Sequence, residues 1–567
     1  MAASRRKKLK PAAFREIELK LLLDPATLSR IRRAGVLSRL PGVVPQTRGT
    51  TRNLTAIYWD TKDNQLAKAG MTLRVRRDGV SVKQGLKAAD GAGGLAADRA
   101  EDEIQVPASC ALDPPRLELI QDPHLRDRAR AAIDGAELVP VFESAVSRVA
   151  RVYEGADGGQ FEAALDLGEL RPADLRNGKV EVGAGEPVCE IELEHRTGPV
   201  TGLFAAARAV AERYPVRVGI ASKAARGYAL AQAAREGRPV ADPEVVLAGK
   251  SPVLPGMAIA QAYGVLLSHG VSQIAANQEV VLLARAPEGV HQMRVAIRRF
   301  RAVYSAFHKA IPVAGADLVI PDMKNVFRVL GMARDMDVFC TETLPGMMQH
   351  TAKSAPPLGP LAAAAHEARL ESWRDVTATI GAPEFTRLLL AAGYRAARAQ
   401  AEKQPVGPGK KRHKSGHTGT GARQPDLVDF AIARLTLRMK QVKRKARGLA
   451  GLDDEARHDL RKRLKALRYE VDFFAPLWPR EDVKAFLRPL KELQDHFGAI
   501  NDAATAARVA QLAADRIGGE TANRAAGYVG GWHAAHADLA FLKVQENWEN
   551  FAALPHFWRQ RTSGHAG

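Results

Sequence analysis

Apolar and polar positions alternate with a period near 2 through the first 235 or so residues, and follow a helical period beyond them. Near the start, Glu16, Glu18 and Lys20 would share one face of an extended strand, with Ile17, Leu19 and Leu21 on the other. Further alternating runs at 55–61, 71–77, 80–85, 100–106, 161–168 and 188–195 predict strands. Helices are expected near 25–40, 115–134 and 199–213, and Gly-rich turns such as Gly91-Ala92-Gly93-Gly94 separate the strands. Many strands with short connections predict an α+β domain over 10–235, an antiparallel sheet or barrel carrying peripheral helices.

A charged face on one antiparallel strand is ordinarily a solvated one. Here the pattern recurs. Arg74 and Arg76 alternate with Leu73 and Val75, Lys83 follows Ser81, Glu101 pairs with Glu103, and Glu190, Glu192 and Glu194 alternate with Ile191 and Leu193. Acidic residues on some strands and Arg or Lys on others predict the lining of a closed, charged cavity. Carboxylates suit a hard divalent cation, and guanidinium or ammonium groups suit phosphate oxygens.

Residues 236–256 hold four prolines and no clear period, which predicts a linker. The helical part that follows, 257–550, contains an internal repeat. "HQMRVAIRRFR" begins at His291 and "HDLRKRLKALR" at His458, a shift of 167 residues that also carries Lys324 to Lys491, Gly331 to Gly498 and Asp335 to Asp502. Two tandem helical repeats, about 257–400 and 426–550, are expected, joined by a basic Gly/Pro loop at 404–425. On the repeated helix, His291, Arg294, Arg298 and Arg301 form one stripe, opposite Met293, Ile297, Phe300 and Tyr304. His458, Arg461, Lys465 and Arg468 repeat the stripe, opposite Leu460, Leu464, Leu467 and Val471. Most such stripes are solvated faces. This one reads as almost purely cationic, without i,i+4 carboxylates to pair it, so an anionic ligand is expected.

Charge agrees with that reading. The chain has 83 Lys and Arg against 63 Asp and Glu, a net +20. Residues 1–250 carry 39 basic against 33 acidic groups, the remainder 44 against 30, so the excess concentrates in the helical part and points to a polyanion. Three scattered cysteines predict neither a disulfide framework nor a zinc site. No apolar run of about 20 residues predicts a membrane span, and no apolar segment follows the basic start to make a signal peptide. A cytoplasmic protein is expected, with polyphosphate granules as a place where it would be found.

EIELK (Glu16–Lys20), YWDT (Tyr58–Thr61), LRVRR (Leu73–Arg77), VKQG (Val82–Gly85), ALDLGEL (Ala164–Leu170), CEIELEHRTG (Cys189–Gly198) and SKAARGY (Ser222–Tyr228) follow the order of motifs in CYTH domains. The first part therefore resembles the triphosphate tunnel metalloenzymes. The resemblance implies an eight-stranded antiparallel tunnel that binds a triphosphate with Mg²⁺ or Mn²⁺. It implies that Glu16, Glu18, Glu190, Glu192 and Glu194 face the metal, and that Lys20, Arg74, Arg76, Lys83, Arg148 and Lys223 hold phosphate oxygens. Glu16, Glu18 and Lys20 would be the catalytic set. His195 stands where the family pattern has a hydrophobic residue, and the strand at Phe142–Arg151 lacks its usual Thr and aromatic spacing. The helical part, with GMARDMDV (Gly331–Val338) and LRYEVDFF (Leu467–Phe474), resembles a CHAD domain of two four-helix repeats. That resemblance implies polyphosphate binding through both stripes.

The expected function is metal-dependent hydrolysis of inorganic tripolyphosphate in the tunnel, with long-chain polyphosphate bound by the basic helices. A nucleoside or thiamine triphosphatase, or an adenylate cyclase, would use the same tunnel, and Tyr58 and Trp59 are the adjacent aromatics that could serve a base. A polyphosphate-binding protein without catalysis is the third reading. Nucleic acid fits less well, because the basic helices carry few aromatics for stacking.

Overall fold

The computed structural model describes residues 14–35, 42–89, 94–176, 179–313, 315, 317–350, 355–401 and 426–559. Residues 91–93 of the expected Gly91–Gly94 turn and the loop at 404–425 lie outside the described residues. The chain divides into two compact units, one comprising residues up to Pro243 with Leu389–Tyr394, the other the remainder.

The first unit is built on strands β1 (Phe14–Leu22), β2 (Val43–Pro45), β3 (Thr50–Thr61), β4 (Met71–Asp78), β5 (Ser81–Ala89), β6 (Ala96–Val106), β7 (Leu138–Gly155), β8 (Gln160–Arg176), β9 (Lys179–Val182), β10 (Glu186–Thr197) and β11 (Arg217–Gly219). Eight of them run β7-β3-β4-β5-β6-β1-β10-β8, and β8 pairs back to β7. The ring is closed and antiparallel throughout. The short strands β2, β9 and β11 attach to β7, β8 and β1 outside it.

Closure without edges satisfies every strand of the ring, and period-2 alternation then sorts the side chains. The charged set points inward, so the apolar set points outward and needs cover. Leu73, Leu86, Met71 and Ala88 pack under Leu125, Ala129 and Ile133 of the helix Pro123–Ile133. Trp59, Val75 and Val82 form a neighbouring cluster. Leu73, Leu86, Met71, Val75 and Val82, each 3% exposed or less, contribute about 1.5–3 kcal/mol apiece by leaving water. The helix expected over 115–134 begins only at Pro123, where proline suits the first turn, and a 3₁₀ turn fills Leu117–Leu119. The one expected near 25–40 spans Pro25–Arg33, capped by Asp24, which accepts from the Thr27 N–H at 2.9 Å.

Besides the short helix Gln65–Lys68, a longer helix of this unit was not expected. Lys223–Glu236 packs against Leu54, Ala56, Tyr58, Phe142, Leu170 and Val188, which belong to the inner faces of their strands. It fills one end of the barrel. Gly227 allows the approach, since a Cβ there would lie 2.3 Å from the Phe142 ring.

The second unit is helical among its described residues. Ile259–Glu279, Pro287–Phe307, Val319–Val338 and Gly359–Gly381 make the first repeat, and Leu427–Lys445, Asp454–Phe474, Arg480–Ile517 and Glu520–Ala553 the second. A further helix, Pro383–Ala401, follows the first four and adds to the expected two sets of four. The 167-residue shift carries both ends of Pro287–Phe307 onto Asp454–Phe474. The faces expected to be core are core with one exception: Met293, Ile297, Leu460, Leu464, Leu467 and Val471 are 0% exposed and Phe300 is buried, whereas Tyr304 is only half-buried and stacks on His308. No helix among the described residues is long and apolar enough to cross a membrane.

Candidate functional site

The barrel encloses a cavity of about 530 Å³ lined by side chains from all eight ring strands and from the N-terminus of the helix Lys223–Glu236. β1 delivers Glu16, Glu18 and Lys20, all buried. Lys87 of β5 donates to both Glu16 oxygens at 2.5 and 2.6 Å, and Arg99 of β6 lies 3.4 Å from Glu18. Lys20 turns to the other side, 3.5 Å from Glu190 and 3.6 Å from Glu192.

There Asp166 of β8 joins Glu190 and Glu192 of β10, one oxygen from each within 4.8 Å of the others. Arg148 forks onto Asp166 at 2.7 and 2.6 Å and reaches Glu192 at 2.5 Å. Lys223 lies 2.7 Å from Asp166 and 2.8 Å from Glu192, and also pairs with Glu190. Burial alone would discharge Lys223, but Asp166, Glu192 and Glu190 outweigh it and hold its pKa well above the ordinary value. The same balance runs the other way at Glu192: burial is outweighed by Lys223, Arg148 and Lys20, and its pKa falls well below the usual range. Glu190 is 0% exposed, and its oxygens make ion pairs but no hydrogen bond. Three hard oxygen donors with spare lone pairs fit Mg²⁺ or Mn²⁺.

The opposite wall is cationic. Arg76 lies 2.7 Å and Lys83 2.9 Å from Glu103, and Arg74 reaches Glu101, Glu103 and the Tyr58 hydroxyl at 3.5, 3.6 and 3.5 Å. Burial and its neighbour Arg74 lower the Arg76 pKa, so this wall carries positive charge that its own carboxylates only partly neutralise. Glu194 lies on the cavity wall in register with Glu18 and 3.0 Å from Arg196; burial raises its pKa to about 7. Arg148, not Arg151, faces the cavity; Arg151 donates to the Thr47 carbonyl and stacks on Tyr153. His195 bonds the Gly198 carbonyl region at 2.8 Å, away from the lining.

In the helical unit the two stripes converge. Lys465 sits within electrostatic reach of Arg461, Arg298 and Arg294, with Asp502 opposing them; burial first, then these cations, lower its pKa to about 7. The Nε atoms of Arg298 and Arg461 are buried without a hydrogen bond. Arg294 is seated on the Phe327 ring and donates to the Phe327 carbonyl at 3.2 Å, and its pKa drops to about 10 through burial. Arg301 approaches the same ring. His291 and Arg294 feel Arg334. One expectation needs correction: the stripe does have an i,i+4 carboxylate, since Asp472 lies 3.9 Å from Arg468.

A family model described as the CYTH domain matches residues 15–228, and one described as the CHAD domain matches 265–511. The chain is a CYTH domain followed by a CHAD domain. Two uncharacterised proteins of Mycobacterium tuberculosis, strains CDC 1551 / Oshkosh and ATCC 25618 / H37Rv, are each 25% identical over 337 residues, covering 58% of this chain. The match spans 59% of the length of those relatives. Among solved structures, the CHAD domain of the plant Ricinus communis is similar at 22% identity, covering 55% of this chain and 98% of that one, with a TM-score of 0.45. A putative adenylyl cyclase from Hippeastrum, described as having a dominant triphosphatase activity, is similar at 20% identity over 40% of this chain and 97% of its own, with a TM-score of 0.25.

CYTH domains are metal-dependent tunnel enzymes acting on triphosphates. Within this CYTH barrel the expected residues Glu16, Glu18, Lys20, Arg74, Arg76, Lys83, Arg148, Glu192, Glu194 and Lys223 all line one cavity, and Glu190 stands behind it. The expected carboxylates divide, however. Glu190 and Glu192 cluster with Asp166, whereas Glu16 and Glu18 are held by Lys87 and Arg99. Asp166, Lys87 and Arg99 were not singled out by sequence.

Proposed function

We propose that the CYTH barrel hydrolyses inorganic tripolyphosphate with Mg²⁺ or Mn²⁺, and that the CHAD helices bind long-chain polyphosphate. The observation that carries the first half is the opposition of a buried carboxylate cluster to a cationic wall inside one blind cavity. Asp166, Glu190 and Glu192 would hold the metal, with Glu16, Glu18 and Glu194 on the adjoining wall. When bound, such a cation supplies charge neutralisation and polarisation at a phosphoryl oxygen. Arg74, Arg76, Lys83, Arg148 and Lys223 would grip the phosphate oxygens and stabilise charge that develops on the transferred group, while Lys20 and Glu18 orient the reacting end.

The filled end of the barrel favours a short substrate over a chain threaded through. Tyr58 is the one aromatic side chain among the described lining residues, and it is stacked on Phe142 and bonded to Arg74. That leaves little for a base or thiazole ring to stack on. The cation-rich junction of the two stripes, with its unbonded guanidinium nitrogens, supports polyphosphate as the ligand of the helices. Catalysis thus belongs to residues 10–235, binding to 257–550, and 236–256 joins them. Three free cysteines fit a reducing cytoplasm, where polyphosphate granules occur.

A phosphate-release panel tests this reading. Tripolyphosphate, pyrophosphate, long polyphosphate, ATP and thiamine triphosphate are each supplied with Mg²⁺ or Mn²⁺. Tripolyphosphate should turn over fastest. Release from ATP or thiamine triphosphate at a higher rate, or none from tripolyphosphate with either metal, would overturn the assignment.

A further inference from the structure

The duplication in the helical unit supplies an internal control. Position by position, the second repeat should fill its interior as the first does. It does not. Between Asp454–Phe474, Arg480–Ile517 and Glu520–Ala553 lies a cleft of about 270 Å³ that reaches Phe497, Ala504, Gly530 and Ala534, with Arg457, His458 and Arg461 at its rim. Small-ligand pockets usually begin at roughly 300 Å³, so this cleft is of the size for one compact ring system.

The 167-residue shift explains where the space comes from. Ala504 corresponds to Asp337 of the first repeat, Ala507 to Cys340 and Ala503 to Met336. Asp337 is 1% exposed and accepts from the Trp373 indole N–H at 2.9 Å and from Arg369 Nε at 2.6 Å, both on the helix Gly359–Gly381 that closes the first repeat. The helix that closes the second repeat, Glu520–Ala553, presents Gly530, Ala534 and Ala537 instead. Where the first repeat lays a flat bicyclic heterocycle against a carboxylate, the second has alanines and a glycine around open space.

The rim adds charge. Arg457 takes the place of Val290, which is fully buried in the first repeat. Its guanidinium lies 3.7 Å from the Phe541 ring centre, which holds the group in place, and its Nε is buried without a hydrogen bond, as is that of Arg461. Asn501, Asp454 and Asp538 complete the rim with one amide and two carboxylates, and Asp454, almost fully exposed, lies 3.6 Å from Arg457 Nη1.

We infer that this cleft binds a purine nucleotide, its ring filling the space that Trp373 fills in the first repeat and its phosphate meeting Arg457 and Arg461. A bicyclic ring matches the missing indole in shape, and the unbonded guanidinium nitrogens match a phosphate in charge. Asn501 and Asp538 are the groups placed to read ring or ribose edges. This goes beyond the polyphosphate reading, because a bare phosphate chain has nothing to put in an apolar cleft.

Calorimetric titration of the full chain with AMP and with adenosine is the test. AMP should bind once per chain and more tightly than adenosine. Ala534→Trp, which restores an indole, should remove AMP binding while tripolyphosphate hydrolysis is unchanged. Gly530→Leu fills the cleft from a helical position where Leu is better tolerated than Gly, and should act the same way if the Trp variant fails to fold. Arg457→Met should weaken AMP roughly tenfold and leave adenosine unchanged. No AMP binding to the wild-type chain, binding that survives both filled variants, or displacement of AMP by tripolyphosphate with no dependence on residue 534 would overturn the inference.

Discussion

Arg148 and Asp166 are register partners across the β7–β8 seam that closes the barrel, and they form a two-pronged ion pair at 2.7 and 2.6 Å. The pairing aims the rest of the guanidinium at Glu192 and so fixes two of the three clustered carboxylates at once. Lysine keeps the charge but cannot fork. Arg148→Lys should therefore lower tripolyphosphate turnover about 10–100-fold, the usual cost of losing a group that orients metal ligands. Phosphate release at saturating Mg²⁺, with circular dichroism to verify folding, checks it; wild-type turnover would detach Arg148 from the site.

Glu190 and Glu18 make a second comparison. Glu190 belongs to the three-carboxylate cluster, whereas Glu18 is paired with Arg99. Glu190→Gln should raise the Mg²⁺ needed for half-maximal turnover by about tenfold or more, and EDTA should stop the wild-type reaction. Glu18→Gln should lower the rate with a smaller shift in metal requirement. Equal shifts for both variants would move the metal toward β1.

Much of this site could be read along the strands, and the unread part depended on pairing between them. Alternation put Glu16, Glu18 and Lys20 on one face, and that face is the inner one. The same rule, carried two residues beyond Gly85 or two before Glu101, would have reached Lys87 and Arg99. Asp166 gave a weaker signal, a single acid between Leu165 and Leu167; its role comes from its neighbours Arg148 and Glu190, which lie 18 and 24 positions away in sequence but beside it in the sheet. The helix Lys223–Glu236 is small-residue-rich with no strong apolar stripe, so nothing local said that it enters the barrel. The helical unit was legible because duplication turns one pattern into two, and its cleft was not, because only paired contacts such as Trp373–Asp337 reveal what the second copy lacks.

The same duplication separates two glycines. A Cβ at Gly331 would lie 2.3 Å from Arg294 Nη1, whereas one at its counterpart Gly498 would meet nothing within 4 Å. Gly331→Ala should unseat Arg294 from Phe327 and weaken polyphosphate binding several-fold, while Gly498→Ala should leave it unchanged and gain helix propensity of about 1 kcal/mol. Filter binding and thermal melting of the two variants decide; equal effects would show that the seat of Arg294 is irrelevant to binding.

Lys465 gives the pH dependence. Burial first, then Arg461, Arg298 and Arg294, with Asp502 as the opposing charge, bring its pKa to about 7 from an ordinary 10.5. A lysine so depressed is charged below about pH 7 and neutral above it. Polyphosphate should bind more tightly at pH 6 than at pH 8, and the lowered pKa values of His291 and His458 add a contribution of the same sign at the acidic end. The stability of the free helical unit runs the other way. Between about pH 7 and the ordinary lysine range the unfolded chain holds a proton that the fold does not, so stability rises with pH there. Lys465→Arg should flatten the binding profile, and a flat wild-type profile would remove Lys465 from the site.

The two stripes should act as one site, because Lys465 of the second copy already feels Arg294 and Arg298 of the first. Replacing Arg294 and Arg298 with Ala should weaken long-polyphosphate binding, and so should replacing Arg461 and Lys465. A polyanion bound through both copies releases condensed counterions from all four contacts. The quadruple variant should then lose nearly all affinity, and the slope of log affinity against log salt should become shallower by roughly 3, at about 0.7 per phosphate contact on a single-stranded polyanion. Tripolyphosphate hydrolysis should stay close to wild type throughout, since none of the four lines the barrel. Matched-charge duplex DNA should compete poorly, because Arg294 and Arg461 are partly buried and a bare phosphate chain reaches them where a duplex cannot. Titrations at two salt concentrations distinguish the outcomes: additive, independent losses would mean two separate surfaces, and unchanged affinity in the quadruple variant would reduce both stripes to solvated helix faces.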